Sequence, residues 1–138
     1  MKKNGFTLVE LLAVIVVLSI IVGIAIPISL AVSRNIKKDM FCKKIKMIEE
    51  AAINYGQDNY SLINSGSQGT VIRISDLVLN GYLKKDVKDA NVGSGAIISP
   101  IDNKSLDNFQ IKLYINNNIS KNRIRAVCIE NDCNNLCD

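Results

Sequence analysis

Apolar and polar positions change period along this chain, and each change marks an element. From Phe6 to Val32 the polar side chains are Thr7, Glu10, Ser19 and Ser29 alone. That run predicts a helix about 40 Å long, enough to cross the roughly 30 Å hydrocarbon core of a bilayer. Beyond Val32 the pattern turns amphipathic without a break. Phe41, Ile45, Ile48, Ala52 and Tyr55 recur at helical spacing, forming one face of a continuing helix. Lys44, Lys46, Glu49 and Glu50 lie mostly off that face, with Lys46 and Glu50 placed for an i,i+4 ion pair. The helix is expected to stop at Gly56, where "GQDNYSLINSGSQGT" is rich in turn residues.

The remainder reads as a small head. "TVIRISDLVLNGYLKKD" predicts a short extended piece and then a short helix capped by Ser75 and closed by Gly81. In "FQIKLYI" the residues Phe109, Ile111, Leu113 and Ile115 alternate with Gln110, Lys112 and Tyr114, the period of a half-buried strand. The run Asn116 to Asn118 predicts a turn, and "RIRAVCIE" a second strand. The expected fold class is α+β, a long N-terminal helix packed against a small C-terminal antiparallel sheet. The expected divisions are an apolar helix over 6–32, its amphipathic continuation over 33–56 and a β-rich head over 57–138.

Charge and chemistry narrow the function. The chain has 138 residues and a net charge of +4, and loss of Lys2 and Lys3 leaves 4 − 2 = +2. So small a sum gives no reason to expect nucleic acid as a partner. Histidine is absent, which removes His-based triads and the usual zinc-enzyme ligand sets. No Gly-rich phosphate loop and no nucleophile with a base can be named, so no enzyme activity and no cofactor are expected.

Glu10 is the anomaly. A secretory signal peptide has a shorter apolar core without an acid, and a plain anchor gains nothing from one. At the centre of a membrane helix an acid costs about 2.5–3.5 kcal/mol, and somewhat less near an end. The stretch "KKNGFTLVELLAVIVVLSIIVGIAIP" closely resembles the N-terminus of type IV prepilins and pseudopilins: a short basic leader, then Gly5, Phe6, Thr7 and Leu8, then Glu10 in an apolar helix with a proline well along it. The resemblance covers about the first quarter of the chain. It implies a leader over residues 1–5, cut by a prepilin peptidase between Gly5 and Phe6, and N-methylation of Phe6. It also implies the type IV pilin fold and a homo-oligomeric helical filament assembled with an assembly platform protein and minor pilins.

Electrostatics gives those residues a reason. Cutting creates an ammonium on Phe6 at a helix N-terminus, where the macrodipole opposes a cation. Glu10 supplies the counter-charge, to its own chain or a neighbour's, and breaking such a buried pair costs about 3–5 kcal/mol, which sets register between subunits. Pro27 has no N–H for the carbonyl of Gly23, so a bend or melted turn is expected between them. The resemblance makes that weak point a place where the helix loosens on packing.

The expected location is the cytoplasmic membrane, spanned once with the N-terminus cytosolic and the head outside, then an extracellular filament, in a low-GC Gram-positive bacterium. The positive-inside rule favours the opposite orientation, because Arg34, Lys37, Lys38, Lys43, Lys44 and Lys46 outweigh the leader. That cluster suits lipid headgroups or an acidic partner subunit, and a solvated helix face is the simpler reading. "SDLVLNGYL" is a weaker likeness to Gram-positive pilins. Cys42, Cys128, Cys133 and Cys137 allow three full pairings. Zinc lacks its usual paired spacing here. Disulfides suit a head outside the cell, and a bridge from Cys133 or Cys137 to the body is expected.

The function expected is thus a structural pilus subunit, with membrane lipid as its partner before assembly. The alternatives are a pseudopilin of a type II secretion or DNA-uptake machine, the one case in which nucleic acid is a partner, and a single-span membrane-anchored binding protein.

Overall fold

The computed structural model describes residues 7–63, 68–116 and 123–137, without the side chains of 25–28, 116 and 123. Gly5, Phe6 and most of the turn expected at Asn116 to Asn118 lie outside the described residues. One helix, α1, covers Leu8–Asp58, 51 residues. The chain divides into two units, residues 1–36 and residues 37–138. In the second unit follow a 3-10 turn at Tyr60–Leu62, β1 (Thr70–Arg73), α2 (Ile74–Leu79), β2 (Gln110–Asn116), β3 (Arg123–Cys128) and α3 (Asn131–Cys137). The strands form one antiparallel sheet in the order β1-β2-β3. This is the α+β architecture that the patterning predicts.

The two periods meet in one core. Phe41, Ile45, Ile48 and Ala52 of α1 are all at most 3% exposed and cluster with Ile111 and Leu113 of the sheet, which are fully buried. Ala51 joins this face, and Tyr55 packs at its edge. The Glu49 carboxylate accepts a hydrogen bond from the N–H of Cys128 on β3 (2.9 Å), satisfying a donor on the edge strand from the helix. The Lys46–Glu50 ion pair does not form: among the described residues the ion pairs are Lys44–Asp86 and Lys104–Asp102. Lys44 instead reaches the head, where it also donates to the carbonyl of Ile98 (2.7 Å).

Two local expectations are corrected. Gly56 does not end α1, which continues to Asp58. It is buried, and a Cβ there would stand 2.9 Å from Ile63 Cδ1 and 3.2 Å from Ile124 Cγ2, so glycine serves close approach. The cap of α2 is Arg73 and not Ser75: the Arg73 N–H donates to the Asp76 carboxylate at 3.0 Å, while the Ser75 N–H donates to the carbonyl of Asp107. Gly81 does close α2. With φ of +79° it lets its own N–H reach the Val78 carbonyl (3.2 Å) and the Tyr82 N–H reach the Leu77 carbonyl (2.9 Å).

Candidate functional site

The start of α1 is built from the sequence T-x-x-E. Thr7 stands just before the helix, and its N–H and hydroxyl both donate to Glu10 Oε2, at 2.9 and 3.0 Å. The Glu10 N–H donates back to Thr7 Oγ1 at 3.3 Å. This is a capping box, in which two helix-end donors are satisfied reciprocally. The arrangement was readable in the sequence as a threonine three residues before a glutamate, and it gives Glu10 a role within its own chain. Ser19, another polar group of the apolar stretch, donates to the Ile15 carbonyl at 2.7 Å. Thr7, Glu10 and Ser19 thus each bond within a few residues along the helix.

Gly23 and Pro27 both lie within α1. Nothing lies within 4 Å of a Cβ placed at Gly23. Large apolar side chains from Leu8 to Ile24 are between 48 and 76% exposed. Among the described residues α1 is the one helix long and apolar enough to cross a membrane.

At the other end of the chain α3 carries Cys133 and Cys137 four residues apart on one side of a two-turn helix. Cys137 is bonded to Cys42 of α1, with Cα atoms 5.4 Å apart, and Cys133 to Cys128 of β3, at 6.1 Å. All four sulfurs are thereby used. The two bridges differ in reach, with separations of 95 and 5 residues. Losing the longer loop therefore releases more unfolded-state entropy. Cys42→Ser or Cys137→Ser is expected to lower head stability by about 2–4 kcal/mol in urea titrations, more than Cys128→Ser or Cys133→Ser. Equal urea midpoints with and without reductant, in protein known to be oxidised, would show that neither bridge stabilises the head.

A residue that patterning passes over organises the segment between α2 and β2. Asp107 is fully buried. Its Oδ2 accepts from the N–H groups of Gly93 (2.8 Å), Gly95 (2.9 Å) and Ala96 (3.0 Å), and its Oδ1 from that of Ile97 (2.7 Å). Burial acts to raise its pKa, but the four backbone donors outweigh burial and hold the carboxyl below its ordinary value. Asp86 acts similarly at the rim, accepting from the N–H of Ile98 and from Lys44. Charge-assisted bonds to backbone thus replace regular structure in this stretch.

Residues 1–26 match the family model for the prokaryotic N-terminal methylation motif. No curated protein and no solved structure matches the chain. The motif implies, in general, processing by a prepilin peptidase and filament assembly, and with the apolar helix it fits a membrane-anchored protein that later joins an extracellular filament. On a long helix and a small antiparallel sheet consistent with the pilin fold, the chain carries the leader and methylation motif of type IV pilin-like and pseudopilin proteins.

Proposed function

We propose that the chain is a structural subunit of a type IV pilus or a closely related filament, made as a membrane-anchored precursor and assembled through α1. The observation that carries this reading is the methylation motif over residues 1–26, joined to a helix whose apolar side chains are uncovered from Leu8 to Ile24. So long an apolar surface needs a cover. Lipid provides it before assembly and neighbouring subunits afterwards.

In this reading a peptidase removes residues 1–5, taking Lys2 and Lys3 away from a segment due to enter an apolar core. Phe6 becomes the methylated N-terminus, and its ammonium pairs with the Glu10 carboxylate of a neighbouring subunit. Thr7 holds that carboxylate at the helix end, so the counter-charge is oriented before the partner arrives. Pro27 offers no N–H to the Gly23 carbonyl, and this is where the helix loosens as subunits pack. The head lies outside the cell, where its disulfides persist.

Mass spectrometry of the mature protein tests the processing. The expected first residue is N-methylated Phe6, and Gly5→Val is expected to block the cut; an intact Met1 or a start at Arg34 overturns the reading. Electron microscopy of sheared surface fractions tests the assembly. Filaments containing the chain are expected, and a processed chain found only in the membrane sinks the pilus assignment.

A further inference from the structure

The stretch of α1 that follows its apolar run carries charge that the head does not use. Between Glu10 and Glu49 the chain has one acid, Asp39, against the cations Arg34, Lys37, Lys38, Lys43, Lys44 and Lys46. Lys44 turns to the head, where it meets Asp86 and the Ile98 carbonyl. Arg34, Lys37, Lys38 and Lys43 are exposed and enter neither of the ion pairs found among the described residues, Lys44–Asp86 and Lys104–Asp102. Every residue from Ser29 to Met40 is exposed, and α1 is first buried at Phe41, which is 2% exposed. At 3.6 residues per turn Lys37 and Lys38 fall within about 60° of Phe41, one on each side, so they continue its face where nothing covers it. Arg34, Lys37 and Lys38 all come within six residues of Val32, where the apolar run ends.

We infer that Arg34, Lys37 and Lys38 bind the phosphates of anionic phospholipids, so that the chain gathers such lipids at the surface its helix passes through. The inference rests on the reading of α1 as a membrane span. Along the helix these cations lie about 3–9 Å past Val32, and a headgroup layer is about 5–8 Å deep. Their long side chains can reach back toward phosphate while their stems stay on the helix. Each basic residue close to an anionic membrane surface strengthens the attraction about fivefold. A zwitterionic headgroup brings its own ammonium to the same place and gains less. The rival partner is an acidic neighbouring subunit. It would have to fit against the face that the head takes over at Phe41, whereas headgroups surround the end of a span on every side.

The full chain, oxidised, is reconstituted in phosphatidylcholine vesicles carrying a trace of spin-labelled phosphatidylglycerol or spin-labelled phosphatidylcholine. Flotation and resistance to alkaline extraction establish insertion, and electron spin resonance reads the motionally restricted fraction of each label. Phosphatidylglycerol is expected to associate about fivefold more strongly than phosphatidylcholine at about 0.1 M salt, falling toward parity near about 1 M. Lys37→Gln combined with Lys38→Gln should cut that preference about twofold or more. Lys2→Gln combined with Lys3→Gln, at the other end of the span, should leave most of it. A chain that inserts but shows no preference at low salt overturns the inference alone, and a chain that alkali extracts overturns the membrane reading with it. A preference lost with the leader substitutions would assign lipid binding to Lys2 and Lys3. If the Lys37 and Lys38 double variant keeps the parent's lipid preference yet yields no filaments in cells, these cations serve a neighbouring subunit and the inference falls.

Discussion

Cells whose only copy of the chain carries Glu10→Gln are expected to display no surface filaments, while cleaved protein accumulates in the membrane. Glutamine serves a capping box as well as glutamate does, so the Thr7 donors stay satisfied and the helix start is preserved. What is lost is the charge. In the proposed filament each incoming Phe6 ammonium would then enter an apolar core uncompensated, at about 3–5 kcal/mol per interface. Glu10→Leu removes both box and charge, and adds to the same assembly loss a capping loss of about 0.5–2 kcal/mol at the helix start. The two variants thus separate the capping contact from the proposed pairing role of Glu10. Sheared filament yield, measured beside the membrane level of cleaved chain, decides between them. A normal yield from Glu10→Gln with failure of Glu10→Leu would make Glu10 a helix cap and remove it from subunit pairing.

Asp107→Ala is expected to destabilise the head by about 3–6 kcal/mol, a large part of the stability of a small domain. The substitution strands the N–H groups of Ala96 and Ile97, both in buried residues, and frees the segment that carries Ile97 and Leu106 into the core. The same group predicts a pH dependence. Its folded pKa lies below the ordinary value of 3.8, so its contribution is complete above about pH 4 and is lost as pH falls through the depressed folded value. Urea midpoints of the oxidised chain should therefore drop below about pH 4, and Asp107→Asn should be weaker at neutral pH with a shallower acid decline. Identical acid profiles for the parent and Asp107→Asn would show that another carboxylate governs the decline.

What was legible in the sequence was whatever repeats. The α1 face from Phe41 to Tyr55 and the alternation of β2 follow from burial on one side, which imposes a period on the residues. Asp107 imposes none, because its partners are backbone N–H groups of Gly93, Gly95, Ala96 and Ile97, whose side chains carry no mark of the contact. Gly56 misleads for a related reason: a glycine ending a helix and one admitting Ile63 and Ile124 read alike. Net charge also hides where charges lie, since a sum over the chain discards the strand register that puts Arg73, Lys112 and Arg125 on one face of the sheet. Cysteine pairing is likewise a matter of proximity, and four thiols in a row of letters leave three answers open.

The bond between Cys42 and Cys137 makes a covalent ring of nearly everything after the first part of α1. A protease that cuts once, anywhere in residues 43–136, opens this ring without releasing a fragment. The turn-rich stretch after Gly56 offers such a target, and both ends created there stay tethered through the sulfur bridge. Two cuts would free a piece, and the second bridge shelters the short span between Cys128 and Cys133 even then. On a filament exposed to extracellular proteases, each subunit would keep its head after a first nick, and the damage would stay local to one loop.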